Sequence, residues 1–432
     1  MLTSDQNRKI NEIVEEFKEA ADFYRMEYSE DLMGMFRDFG CMLLLKCKVD
    51  TEGKADLERL LEGRHKLKGT VKRQLMTVSE ELAQLWEPGE QDGSGDTGEY
   101  EGSQNVREMF QTALEEIFHF CLYSKGGKNR YLLPEETAKP LLRLLTFPEG
   151  MMAGNEGLVV LDTQCGAGSA LMAASRYLKN LRLMGYEKDE EMVGGSVIMS
   201  QLSGLEMELH LEDGARADLY ESCDLVISNP VYGTDTIKDE ELIDQLPGEL
   251  KTVRGRYHME LIRSMQALNF DGKAMLIVPN SFLFANRTES MKVRKWLLQS
   301  YSLEAIISLP EDTFMYSGVR SGVMVFSKPF MSGGWEGHTQ RVLYYNLEKQ
   351  EDKEKQQKEY ERLEEVWSQR DSYYGKWERS RREKTVENRN GIKVPANWQY
   401  NSFWFADVDQ IERENGTFCR KITDRKSRSI WK

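Results

Sequence analysis

Between residues 158 and 326, seven short apolar runs are separated by stretches of helical texture. The runs are Leu158 to Leu161, Leu181 to Tyr186, Met207 to Leu211, Leu225 to Ile227, Ala274 to Val278, Ala305 to Leu309 and Val323 to Phe326. Each is the length of a buried strand and too short for a core helix. Strands that alternate with helices need long crossovers, so the expected architecture is a mostly parallel sheet with helices on both faces. The last runs lie close together, and Gly318 to Gly322 can turn a β-hairpin, so a late antiparallel strand is expected.

The flanks have a different texture. Residues 1–86 read as helical: Ile10, Ile13, Val14 and Phe17 recur at helical spacing, as do Leu32, Met35 and Phe36, and Val71 to Trp86 is a further amphipathic segment. Residues 87–104 have almost no apolar content and read as a flexible acidic loop, after which helical character resumes over 105–123. Residues 348–386 are rich in Glu, Lys, Arg and Gln, with sparse apolar positions at Tyr360, Leu363, Val366 and Trp367. They are expected to form a long exposed helix, either docking on a partner helix or serving as a solvated spacer. The tail beyond 400 ends in basic residues from Arg420 to Arg428. The expected division is an N-terminal helical domain over 1–124, an α/β domain over 125–347, and a helical and tail region over 348–432.

Bulk properties narrow the function. The net charge is -14, which excludes a stand-alone nucleic-acid binder held by a broad basic surface, though not a subunit that reaches DNA with a basic partner. No run approaches eighteen apolar residues, and the N-terminus lacks a signal-type apolar region, so neither a membrane span nor export is expected. The cysteines at 41, 47, 121, 165, 223 and 419 form no CxxC or zinc-type spacing. They read as free thiols of a cytoplasmic protein, with no metal site.

Four of the expected strands end in polar residues suited to a ligand. The first leads into Asp162-Thr163-Gln164-Cys165-Gly166-Ala167-Gly168-Ser169, where the glycines allow a tight turn and close backbone approach. This is neither the nicotinamide GxGxxG, since Leu171 stands in place of the third Gly, nor a P-loop. The second ends at Glu187, 25 residues beyond Asp162, near the spacing used to hold a ribose diol. The third ends near Asp213, whose carboxylate can accept from an adenine amino group. The fourth ends in Asn229-Pro230-Val231-Tyr232. In an open parallel sheet the carboxyl ends of the strands form the ligand crevice, so Asp162, Glu187, Asp213 and Asn229 are expected to converge.

That set describes transfer of a methyl group from S-adenosylmethionine to a ring or amide amino nitrogen. An aromatic amino nitrogen is a poor nucleophile because its lone pair is delocalised. The Asn229 side chain and the Pro230 carbonyl can both accept from one NH2 and favour a pyramidal nitrogen as positive charge develops. Tyr232 can stack on the ring, which in DNA must first leave the helix.

These motifs resemble those of the adenine-N6 DNA methyltransferases of type I restriction-modification systems, the modification subunit. Asp162 to Ser169 is similar to the family's D-P-A-C-G-S-G-G, and Asp224 to Tyr232 to its D-x-I-x-N-P-P-F/Y. Leu276-Ile277-Val278-Pro279 with Leu283-Phe284, then Arg294, then Ala305 to Pro310 with Phe314, resemble its later motifs. The resemblance runs from about Tyr131 to Lys328. It implies a Rossmann-like, seven-stranded S-adenosylmethionine-dependent fold. It implies Asn229, Pro230 and Tyr232 as catalytic residues, and Pro134, Asp162, Cys165, Gly166, Gly168, Glu187 and Asp213 as cofactor-binding residues. It also implies DNA as substrate, a separate specificity subunit and a restriction subunit as partners. The chain departs from the family pattern at Thr163 and Val231, each in place of a Pro, at Ala170, and at Leu133, where the family has the Thr of a Thr-Pro pair. These departures motivate the competing reading, a methyltransferase fold that binds without turnover.

Overall fold

A computed structural model describes residues 3–28, 32–47, 69–86, 100–123, 132–145, 147, 157–230, 233, 235–284, 288–311, 313–314, 319–329, 341–374, 386–387, 393–394 and 403–407. The chain forms two compact units. The first comprises Met1–Arg130 with Gly166–Gly168 and Glu187–Leu211, and the second comprises the remainder.

The first unit is built on helices α1 (Ser4–Tyr28), α2 (Leu32–Lys46), α3 (Gly69–Ala83) and α4 (Tyr100–Tyr123). Thr3 opens α1 with a reciprocal cap: its hydroxyl accepts from Gln6 N at 3.3 Å while Gln6 Oε1 accepts from Thr3 N at 2.7 Å. Ile10, Ile13, Val14, Phe17, Ala20, Ala21 and Tyr24 recur every three or four residues and are all buried, which is the face expected from the spacing. Phe17 meets Phe39 at 4.9 Å between ring centroids, and Phe36 meets Phe118 at 4.9 Å, tying the helices into one core. Helix α4 starts at Tyr100, so the last residues of the expected acidic loop are helical; residues 87–99 lie outside the described residues.

Helix α2 also packs on a helix of the returning segment (Glu190–Leu202, numbered α7 below) at Gly40. A Cβ at Gly40 would lie 2.4 Å from Ile198 Cγ2, closer than van der Waals contact permits. Gly40→Val is expected to force these helices apart and lower stability by about 1–3 kcal/mol, read from urea unfolding. The thiols of this unit are inert by burial, which pushes Cys41 up to about 11 and Cys47 up to about 12.

In chain order the remaining main elements are α5 (Glu135–Arg143), β1 (Leu158–Asp162), α6 (Ser169–Tyr177), β2 (Leu181–Glu187), α7, β3 (Met207–Leu211), β4 (Cys223–Ser228), α8 (Glu240–Asp244), α9 (Arg256–Gln266), β5 (Leu268–Pro279), α10 (Asn280–Phe284), α11 (Thr288–Ser300), β6 (Ser302–Ser308), β7 (Ser321–Ser327), β8 (Arg341–Asn346) and α12 (Lys353–Ser368). The short strands β9 (Val386–Glu387) and β10 (Lys393–Val394) pair with each other, and β11 (Phe403–Asp407) follows them. Of these, α7 and β3 belong to the first unit.

The strands of the second unit stand in the order β11-β8-β6-β7-β5-β4-β1-β2. The run β2-β1-β4-β5 is parallel, and β7 is antiparallel to both β5 and β6. The expected late antiparallel strand is therefore β7. Its Gly322 lies inside the strand, paired with Val278 and Ser308, and not in a tight turn; the connection from β6 spans residues 309–320. Strands β8 and β11 extend the sheet past β6. Strands β1, β4 and β7 and the second half of β5, from Ala274 to Pro279, are buried almost throughout, as befits the interior of a mostly parallel sheet. Asp224 is a polar residue near the start of β4. It accepts from Val159 N at 2.9 Å and from Asn269 Nδ2 at 3.1 Å, which pins β4 between its neighbours.

The expectation of a long exposed helix over 348–386 is corrected. Helix α12 is 16 residues long. Its stripe of Tyr360, Leu363, Val366 and Trp367 is buried, with Leu363 fully so. Residues spaced three and four apart share one helix face, and α5 of the same unit packs against α12, with Arg143 Nη1 3.2 Å from both Glu364 carboxylate oxygens. Residues 375–385 and the basic tail lie outside the described residues. No helix among the described residues is long and apolar enough to cross a membrane.

Candidate functional site

The chain runs from β1 to β2 on one side and returns to β4 on the other, so the strand order reverses between β1 and β4. Such a switch point opens a crevice at the carboxyl ends of the strands, because the connecting helices leave on opposite faces. Here β1 ends at Asp162 and β4 ends at Ser228, immediately before Asn229.

Within the second unit, several of the predicted residues meet at this edge. Asp162 is 2% exposed and its Oδ1 accepts from Gln164 N at 3.0 Å, an Asx-type turn that starts the loop. Cys165 is buried, and its N–H donates to Tyr186 O at 2.9 Å, holding the loop to the end of β2. Ser228 is fully buried and donates from Oγ to Gln164 Oε1 at 3.3 Å, which joins the β4 end to the β1 loop. Asn229 is half-buried and Pro230 is buried; Val231 and Tyr232 lie outside the described residues. Pro134 caps α5, its carbonyl accepting from Thr137 N and Ala138 N.

The loop that carries Asp213 is closed against the β1 loop. A Cβ at Gly214 would lie 2.3 Å from Thr163 O and 2.9 Å from Tyr186 Cβ, so only glycine permits this approach. Asp213, whose carboxylate is expected to accept from an adenine amino group, is also hydrogen-bonded within the protein. Its Oδ1 accepts from Ala215 N at 3.2 Å and its Oδ2 from Arg256 Nη2 at 2.7 Å. Arg216 Nε also lies 3.9 Å from Oδ2, so the capacity Asp213 keeps for an amino group is the second acceptor direction of Oδ1, with its rotamer fixed. Arg256 also pairs with Glu260 at 2.8 Å, and these two acids keep its pKa raised against the opposing effect of burial. Arg263 anchors the next stretch: it is 6% exposed and donates to Ala215 O at 3.0 Å, Ala217 O at 2.7 Å and Gln266 Oε1 at 3.2 Å.

Within the first unit, Gly166 and Gly168 have φ of 54° and 74°, the left-handed region that glycine enters without penalty. Among the described residues, a Cβ at Gly166 would meet only Met192 Cε, at 3.5 Å, which leaves space over this turn. Glu187 Oε2 accepts from Gly166 N at 3.0 Å, and its Oε1 accepts from Lys188 N at 2.8 Å and Asp189 N at 2.9 Å. The carboxylate is thereby held in one orientation and retains an acceptor direction on Oε2. Ser196 Oγ donates to Gly166 O at 2.9 Å and completes the support of the turn.

The sequence reading missed Gln164, Ser228, Arg256 and Arg263. Arg263 left a usable signal, an arginine set among Met259, Ile262 and Gln266 on the buried side of an amphipathic helix. Ser228 and Gln164 left none, because their partnership spans 64 residues. Arg294, singled out by motif, is fully buried and donates to Phe282 O, and burial lowers its pKa to about 10. It supports the segment after β5.

Comparison with known proteins bears on the family and the fold. The chain is similar to a type I restriction enzyme methylase subunit, MjaVII, of Methanocaldococcus jannaschii, at 24% identity over 298 residues, covering 63% of this chain and 47% of that one. It is similar to the type II restriction enzyme and methyltransferase RM.BcgI of Heyndrickxia coagulans at 26% identity over 212 residues, covering 45% of this chain and 31% of that one. The chain thus spans less than half the length of these curated relatives. Among solved structures, the type I restriction-modification system methyltransferase subunit of Streptococcus thermophilus superposes with a TM-score of 0.57 at 14% identity, covering 95% of this chain and 98% of that one. A Listeria monocytogenes protein described as a class I S-adenosylmethionine-dependent methyltransferase gives a TM-score of 0.59 at 17% identity, covering 84% of this chain and 99% of that one. The fold is that of S-adenosylmethionine-dependent methyltransferases. The N-6 DNA methylase family model matches residues 107–407, well over half of the chain, and this protein belongs to that family.

Proposed function

We propose that this chain transfers a methyl group from S-adenosylmethionine to the N6 amino group of adenine in DNA, as the modification subunit of a type I-like complex. The observation that carries the reading is the switch point between β1 and β4, where Asn229-Pro230 follows a strand end hydrogen-bonded to the loop after Asp162. When bound, S-adenosylmethionine supplies an electrophilic methyl group on a cationic sulfonium. By the family resemblance, Asp162 would face its ammonium group, Glu187 its ribose hydroxyls and Asp213 its adenine amino group. Cys165, Gly166 and Gly168 would line the turn beside it, and Pro134 would flank it.

The acceptor chemistry belongs to Asn229 and Pro230. Their oxygens would accept from the amino group of the target base and stabilise the positive charge that develops on nitrogen. Tyr232 would stack on a base flipped out of the duplex. The net charge of -14 suits a subunit that relies on a specificity subunit to hold DNA, with a restriction subunit as a further partner. The type I methylase subunit among the relatives supports this arrangement.

The test is expression, with a specificity subunit encoded beside it, in cells that lack adenine methylation, followed by single-molecule sequencing of their DNA. N6-methyladenine at one recurrent sequence is the expected result. Unmodified adenine throughout, with S-adenosylmethionine still bound by the purified protein, would favour the reading of a binding module without turnover.

A further inference from the structure

Thr163 and Gln164 stand where the quoted family motif has Pro and Ala, and the structure gives both a task. Thr163 Oγ1 is hydrogen-bonded to Ser264 Oγ of helix α9. Ser264 donates its single proton to Glu260 O at 2.8 Å, a turn back along its own helix. Thr163 must therefore be the donor to Ser264. Ser228 Oγ lies 3.4 Å from Ser264 Oγ and 3.3 Å from Gln164 Oε1. Ser264 has no proton left to give, so Ser228 is the donor in both contacts, its hydroxyl shared between Gln164 Oε1 and Ser264 Oγ.

Thr163, Ser228 and Ser264 are 1%, 0% and 0% exposed. A buried hydroxyl without a partner is costly, so these donor directions are strongly held. The Gln164 amide nitrogen is also buried and has no hydrogen-bond partner among the described residues. What the Gln164 side chain does within the protein is accept from Ser228. A Pro and an Ala at these two positions would offer neither hydroxyl nor amide, and the link between the β1 loop, α9 and the end of β4 would not exist.

We propose that Thr163 and Gln164 are positioning residues that hold Asn229 in place for the acceptor amino group, acting through Ser264 and Ser228. The inference rests on the reading of Asn229 as the acceptor-binding residue. It makes two departures from the family pattern part of the working site of this chain.

The test compares Gln164→Ala, Gln164→Glu, Ser228→Ala and the double variant Gln164→Ala with Ser228→Ala, in complex with the specificity subunit. Gln164→Ala is expected to lower kcat about tenfold, the scale set by misplacing one reacting group, with KM for S-adenosylmethionine unchanged. Gln164→Glu keeps an acceptor for Ser228 and is expected to recover most of kcat. The double variant is expected to be no worse than the poorer single one, because both remove the same bond. An unchanged kcat in Gln164→Ala, a Glu variant as poor as the Ala variant, or losses that multiply in the double variant would each overturn the proposal. The same four proteins are unfolded in urea, where coupled midpoint shifts support the link and additive shifts refute it. That second readout decides the link even if the unaltered protein transfers no methyl group, a result that would count against the proposed function instead.

Discussion

Replacing Asn229 by Ala is expected to abolish methyl transfer while leaving S-adenosylmethionine bound. The residue sits one position beyond β4, where its side chain and the Pro230 carbonyl would form the proposed acceptor pair. Removing one preorganised group of this kind costs on the order of 10²–10³ in kcat, because the lost interaction is made only as charge develops. Asn229→Asp keeps an acceptor oxygen and should retain more activity than Asn229→Ala. Asp162→Ala should show the opposite division, with weaker cofactor binding, since Asp162 belongs to the β1 loop. Isothermal titration with S-adenosylmethionine, paired with transfer of a tritiated methyl group to DNA, separates the two effects. Transfer by Asn229→Ala at the rate of the unaltered protein would remove Asn229 from the chemistry.

Arg263→Leu is expected to be the most destabilising single change in the α/β unit. Among the described residues, Arg263 is the side chain of α9 that bonds the carbonyls of Ala215 and Ala217, in the segment that follows Asp213. Both alanines are buried, so their carbonyls would be left without a donor. At roughly 1–3 kcal/mol for each orphaned group, the expected loss is about 3–5 kcal/mol. Arg263→Lys should recover only part of it, because one ammonium cannot reproduce a planar fork that reaches two carbonyls. Urea unfolding followed by far-UV circular dichroism measures the loss. A loss under about 1 kcal/mol would mean that these carbonyls find other donors.

The two predictions were not equally legible in the sequence. Asn229 announces itself through Asn-Pro at the end of an apolar run, a pattern confined to six residues. Arg263 carries only the hint of a charge within an apolar helix face, and nothing nearby names its partners, which lie 46 and 48 residues away. The strip at 360–367 teaches the same lesson from the other side. Its spacing was readable, but not that the stripe is buried within this chain and that α5 packs against the same helix.

The sequence by itself determined the elements whose cause is local. Apolar runs of strand length marked the core strands, the Gly-x-Gly turn marked the positive-φ residues at 166 and 168, and helical spacing marked the buried face of α1. Only the tertiary structure decided which groups share a site. It put Arg256 on Asp213, closed Gly214 onto Thr163, and brought Ser228 to Gln164. The physical reason is that periodicity and turn chemistry act over a few residues, whereas a buried polar group takes whatever partner the packed chain brings to it.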